Sequence, residues 1–196
     1  MAGLREWLNA LLGRGIGPVE SKSDRLFAIN TALVTMEVSV NLRPTGMAAL
    51  AFKGLEAAQF NRIRDEVRQL LEIARQEADT RVGLAVDEYG YHWVVLRDPD
   101  FEDLVTALHL VTSTLEEQGF GKTLLAAVFQ FQDERERTVY WIYNFKRGRY
   151  YPFVPRGKRE RNHAYELQLK AVMAGELPVE PELERWYPLW DIPEAV

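Results

Sequence analysis

TVYWIYNFKRGRYYPFVPRGKRER, residues 138–161, decides the fold. Both halves are crowded with β-branched and aromatic residues, which favour strands. Lys146-Arg147-Gly148-Arg149 separates them, and Gly148 can take the positive φ of a tight turn. The pattern predicts a β-hairpin, Thr138–Phe145 and Arg149–Val154. In its first strand Val139, Trp141, Tyr143 and Phe145 share one face; Tyr140, Ile142 and Asn144 share the other. Both faces are mainly apolar, as in a central strand buried on both sides. The stretch is also charged. Lys146–Arg161 holds seven Lys/Arg and one acid, Glu160, a net of +6 on a chain of −5. The rest of the chain therefore carries −11.

Downstream, Asn162 can cap a helix running to Ala174, with Tyr165, Leu169, Val172 and Met173 on one face. Gly175 ends it. The tail Glu176–Val196 has four prolines, and six acids against Arg185 give it −5 from side chains. Prolines forbid regular structure there, while Trp186, Tyr187 and Trp190 want burial. The tail should be an extended segment pinned by buried Trp186 and Trp190, frayed after Pro193.

Upstream, Thr123–Gln132 predicts a strand joined to the hairpin by the charged turn Asp133–Arg137. Leu104, Val105, Leu108, Val111 and Leu115 mark a helix from Phe101 to Gln118, ended by Gly119. Val82–Val86 and Tyr91–Arg97 form a hairpin around Asp87–Gly90. Phe60, Ile63, Val67, Leu70, Leu71 and Ala74 mark a helix from Glu56 to about Ala78, its other face charged. Asp24 caps a short helix over Arg25–Asn30. Ala32–Asn41 alternates, with Val34, Met36, Val38 and Val40 on one side, and predicts a half-buried strand. Arg43–Gly46 then reads as a turn and Met47–Lys53 as the returning strand. Leu4, Trp7, Leu8, Leu11 and Leu12 describe a short amphipathic helix that docks either on the domain or on a partner. Gly13–Ser23 reads as a linker.

The domain plan is residues 1–23 as helix and linker, 24–175 as a single domain, and 176–196 as a tail packed on it. Hairpins alternating with helices give an α+β class with an antiparallel sheet. That order is like small secretion-chaperone-like domains, which bind other proteins.

Composition narrows the chemistry. The chain has no cysteine, which removes disulfides, thiolate metal sites and thiol catalysis. No apolar run approaches the roughly 20 residues of a membrane span. The N-terminus lacks the apolar region of a signal peptide. Gly119-Phe120-Gly121-Lys122-Thr123 suggests a phosphate loop, but Glu116 stands where the first glycine is needed, and the order is helix–loop–strand. A helix cap and turn is the expected reading. His92, His109 and His163 fall on separate elements without ligand spacing. No nucleophile elbow or deaminase signature is present. No catalytic residue, metal or cofactor is expected.

The chain resembles the PspA-associated PspAB family of the phage-shock envelope-stress system. The resemblance rests on RPTG (43–46), YGYHW (89–93), STLEEQGFGKTLLAAVF (113–129), YNFKRGRYYPFVP (143–155) and LPVEPELERWYPLW (177–190). It implies a cytoplasmic partner of PspA, a coiled-coil protein that coats stressed membranes, with the membrane reached only through that partner. It supplies no catalytic residues. The expected function is thus a non-enzymatic adaptor. Its expected partner-binding residues are Lys146, Arg147, Arg149, Arg156, Lys158, Arg159 and Arg161, facing an acidic surface. The alternative is a nucleic-acid-binding module built on segment 146–161, with bases stacked on its aromatics.

Overall fold

The aromatic hairpin forms at the edge of a six-stranded sheet. The structure is a computed structural model describing residues 24–53, 79–157 and 159–193, and, between 54 and 78, residues 59, 61, 63, 65–67 and 69. Its strands are β1 (Arg43–Phe52), β2 (Arg81–Val86), β3 (His92–Arg97), β4 (Leu124–Gln132), β5 (Thr138–Asn144) and β6 (Arg149–Phe153). Its helices are α1 (Ala28–Val40), α2 (Phe101–Glu117) and α3 (His163–Met173). The described residues between 59 and 69 are helical too, within the helix expected over 56–78. The strand order is β2-β3-β1-β4-β5-β6, antiparallel throughout. The α+β class and the antiparallel sheet are as expected. Among the described residues no helix is long and apolar enough to cross a membrane. The expected N-terminal helix and linker, residues 1–23, lie outside the described residues.

The pleat sorts the apolar residues to two faces. Leu50, Phe52, Val94, Leu96, Phe129, Phe131, Trp141 and Tyr143 face the helical layer with Ile29, Met36, Leu104, Leu108 and Leu169. Met47, Ala49, Val95, Val128, Ile142, Tyr151 and Phe153 face the opposite way, toward Trp186 and Ile192 of the tail. The face division predicted for β5 therefore holds: Val139, Trp141, Tyr143 and Phe145 lie in the helix-side core, Tyr140 and Ile142 in the tail-side core.

Helix ends follow local chemistry. The Asp100 side chain accepts from the N–H of Glu102 (2.8 Å) and Asp103 (3.2 Å) at the start of α2. At its end Phe120 N–H donates to Leu115 O (2.8 Å) and Gly119 N–H to Glu116 O (3.0 Å), a Schellman motif. GFGKT is thus a helix stop, followed by a 3₁₀ turn at Gly121–Thr123. Asn162 caps α3 as predicted, its side chain accepting from Tyr165 N–H at 3.2 Å.

Two expectations fail near the first helix. Ala32–Asn41 is not a strand. A 3₁₀ turn, Asp24–Phe27, runs straight into α1, which absorbs both the expected short helix and the expected strand. The buried set is Ile29, Ala32 and Met36, spaced three and four apart, while Val34 and Val38 are exposed. β-Branched alternation imitated a strand, but burial against the sheet follows the helical period. Left-handed Asn41 (φ 51°) stops the helix, and Leu42 N–H returns to Met36 O at 3.0 Å.

Arg43–Gly46 is not a chain reversal either. It begins β1, whose register against β4 shifts between Pro44 and Met47. Gly46 sits at φ 76° and its carbonyl accepts Asp98 N–H at 3.0 Å. A Cβ there would meet Asp98 O at 2.6 Å, so the bulge requires glycine. The first expected hairpin is therefore a helix and a strand.

Candidate partner-binding site

The basic segment and the acidic tail are built together. After α3 the chain turns along β6. Glu180 N–H donates to Tyr150 O (2.8 Å), and Tyr150 N–H donates to Pro178 O (2.9 Å). A single parallel bridge, Tyr150 to Val179, results. A proline-containing segment thus covers an edge strand that would otherwise present free backbone groups. Beyond it the tail crosses the second sheet face. Trp186 stacks on Tyr151 (6.3 Å between centroids, 19°) and its Nε1–H donates to Glu180 O at 3.0 Å. Tyr151 Oη–H donates to Tyr187 O at 3.0 Å. Trp190 meets the Phe153 ring edge-on at 5.0 Å. Trp186 is buried as expected, but Trp190 is only half-buried. The residues after Pro193 lie outside those described.

The seven cations expected to form one surface divide into different roles. Arg147 Nε reaches Glu180 Oε2 at 3.1 Å, and its other nitrogen lies 3.9 Å from Glu182 Oε1. An Arg149 nitrogen donates to Val179 O at 3.3 Å. Both hold the tail. Arg161 is only 11% exposed and is no surface cation. Its Nε donates to both oxygens of fully buried Glu166 (3.0 and 2.9 Å), and a second nitrogen donates to Trp186 O at 2.7 Å. Its guanidinium also lies over the Phe153 ring. Glu166 further accepts Val154 N–H at 2.8 Å, so one carboxylate joins β6, the basic loop and α3. Lys146, Arg156 and Arg159 are exposed, and Lys158 lies outside the described residues. Lys146 stands in the β5–β6 turn, whose N–H groups at 146 and 147 are held by the Asn144 side chain (3.0 and 3.3 Å). Arg159 holds φ 54° in the loop between the Pro155–Arg161 bridge partners.

Sequence reasoning singled out the cations and missed Glu166 and Glu180. The signal was present as charge: a +6 span beside a −5 tail is its own complement.

Glu180 ties the tail's fate to pH. Burial works against its charge, but hydrogen bonds from Arg147 and the Glu182 N–H outweigh this and hold its pKa below the usual glutamate value. A depressed folded-state pKa contributes stability that is complete above the unfolded-state value and is lost as pH falls through the folded one. Acidification from neutrality through and below the ordinary carboxylate range should therefore loosen the tail. The expected readout is a red shift of tryptophan emission at low pH. Glu180→Gln should show the shifted emission already at neutral pH. Identical titration curves for the two proteins would contradict the assignment.

Other groups offer less. His92, His109 and His163 stand on β3, α2 and α3, and no group of three or more metal-ligating side chains occurs among the described residues. His163 Nδ1 approaches Glu166 Oε2 at 3.5 Å. The arrangement around β6 presents Lys146, Arg156 and Arg159 as exposed cations.

No curated protein and no solved structure matches the chain. The model of one family, PspA associated protein B, matches residues 5–194, and the chain belongs to that family.

Proposed function

We propose that the protein is a non-enzymatic cytoplasmic adaptor of the envelope-stress response. It docks an acidic surface of a PspA-type coiled coil through Lys146, Arg156 and Arg159, and reaches the membrane only through that partner. The family's name carries the association with PspA. The observation that carries the docking surface is the exposure of Lys146, Arg156 and Arg159 in one basic segment. Charge of this kind steers association and is screened over roughly 8–10 Å at physiological salt.

The nucleic-acid alternative asks for aromatics exposed beside the cations. Tyr143 and Phe145 are instead buried in the helix-side core. They offer no stacking platform next to Arg147.

The test is reversal of Lys146, Arg156 and Arg159 to Glu together, which keeps the tail contacts of Arg147, Arg149 and Arg161. Exposed pairs contribute at most about 1 kcal/mol each, so affinity for the coiled coil should fall about tenfold to hundredfold, mostly in association rate. The loss should shrink as salt rises. Unchanged affinity for the coiled coil would refute the docking surface. Tight wild-type binding to single-stranded RNA, without coiled-coil binding, would put the alternative in its place.

A further inference from the structure

The two edges of the sheet are finished differently. The tail bridges the β6 edge at Val179. At the other edge, among the described residues, β2 pairs with β3 alone. Ile63 and Val67 of the helix before it pack into the helix-side core, over the face of the sheet. Lysine, proline or a bulge commonly protects an open edge. Arg81-Val82-Gly83-Leu84-Ala85-Val86 holds neither lysine nor proline, and its register against β3 runs without a shift. The backbone groups it turns outward follow from the ladder. Asp87 N–H donates to Tyr91 O at 3.0 Å, which continues the β2–β3 register by one pair. In an antiparallel ladder every second residue bonds the same neighbour. Arg81, Gly83 and Ala85 therefore bond β3, while Val82, Leu84 and Val86 direct N–H and C=O outward.

The side chains of the strand are patterned along its length. Val82, Leu84 and Val86 share the helix-side face, opposite Leu96, Val94 and His92. Val82 and Leu84 pack on the helix-side core, whereas Val86 is 56% exposed. Arg81, Gly83 and Ala85 take the tail side, where their partners in β3 include Val95 and Trp93. Arg81 is exposed at the start of the strand, and Asp87 follows its end on the same side. The Asp87 carboxylate accepts Tyr89 N–H (3.0 Å), Tyr91 N–H (2.9 Å) and Trp93 Nε1–H (2.9 Å), uncharged donors that fix its position without cancelling its charge.

This pattern complements itself when a second copy is turned end for end. An antiparallel twofold keeps the helical layers of both copies on one side and centres the pairing on a single residue. Centred on Leu84, Val82 of each copy meets Val86 of the other, and Leu84 meets its own counterpart. All the outward N–H and C=O groups of both strands then find partners, and exposed Val86 gains an apolar neighbour. On the tail side Arg81 of each copy faces Asp87 of the other. Centring on Gly83 instead would set Asp79 against Asp87, two acids, which is unfavourable. Centring on Ala85 would set Arg81 against Tyr89 of the turn.

We propose that two copies of this chain pair through β2, antiparallel and centred on Leu84, joining their six-stranded sheets into one of twelve strands. The twofold uses both β2 edges, and the tail bridges β6 at each far end, so assembly closes at two. The pairing stands apart from the coiled-coil reading and shares none of its cations. Sedimentation equilibrium of the full chain should give the mass of a dimer at about 100 micromolar, a concentration that fills a dimer of micromolar dissociation constant. Val86→Lys places a charge on the edge at an already exposed position and should weaken the dimer about tenfold or more. Val86→Pro, which removes one outward N–H and no bond to β3, serves the same purpose should the lysine variant lose its far-ultraviolet circular dichroism. Arg81→Glu should weaken the dimer several-fold at low salt and less at high salt. The register has its own test, because the chain has no cysteine. Opposed residues of a hydrogen-bonded pair lie about 5.5 Å apart at Cα, within reach of a disulfide. Mild oxidation should therefore link Leu84→Cys chains much faster than Ala85→Cys chains. The proposal fails on any of four results: a monomer at about 100 micromolar, a mass that keeps growing past two chains, a dimer that the Val86 variants leave intact, or equal cross-linking at the two cysteine positions.

Discussion

Glu166→Ala will cost the fold about 3–5 kcal/mol, the range for removing one partner of a buried ion pair. The carboxylate is fully buried and satisfies Arg161 and the Val154 N–H. Without it the guanidinium, only 11% exposed, loses its counter-charge and keeps little water. The damage spreads because Arg161 also donates to Trp186 O, so the basic loop, α3 and the tail lose a common support. A urea titration should show the midpoint falling sharply, with tail tryptophan emission shifting early. The double variant Glu166→Leu with Arg161→Met should recover part of the loss, since apolar packing can replace a buried pair. A single-variant midpoint near wild type would mean that the pair is not coupled to the core.

The second large effect is expected at Trp141. Its side chain is fully buried on the helix side of β5, with β4 and β6 on either side. Trp141→Ala should cost about 3–5 kcal/mol through lost burial and an uncollapsed cavity. Among the described residues the buried indole N–H has no acceptor. Trp141→Phe removes that donor along with part of the ring, so it should cost clearly less than alanine. Equal losses for the two variants would show that ring volume is not what the site requires.

Much of the fold was legible because its signals are local. Both hairpins were readable because turn residues and alternating apolar residues lie within a dozen positions of each other. The α3 cap, Asn162, acts on an N–H three residues away. The start of the domain was not legible for the opposite reason. Val34, Met36, Val38 and Val40 alternate, and only packing reveals that Met36 is buried while Val34 and Val38 are exposed. Arg43–Gly46 was read as a turn between strands, but whether such residues reverse a chain or bulge a strand depends on the partner, here Asp98.

The candidate site was legible in composition and illegible in use. The sequence showed the +6 span, but not that Arg147 meets Glu180, because that requires knowing that the tail runs beside β6. Arg161 looked like its neighbours in sequence. Its burial follows from Glu166, five residues later, facing inward at the first turn of α3.

The strand order also governs the sequence of events during synthesis. β1 is the first strand to leave the ribosome, yet it lies between β3 and β4, which both come later. Its apolar run, Met47 to Phe52, must therefore wait without a pairing partner while the chain through Arg97 is made, and its other edge waits longer for β4. Exposed apolar strand edges invite the wrong partner, and non-local pairing is slow. The nascent chain is thus most vulnerable to association with its neighbours on a polysome in that interval. The tail, made after all six strands, then closes both the β6 edge and the second face, so a ribosome that stalls before Trp186 releases a chain with a full sheet and one bare side.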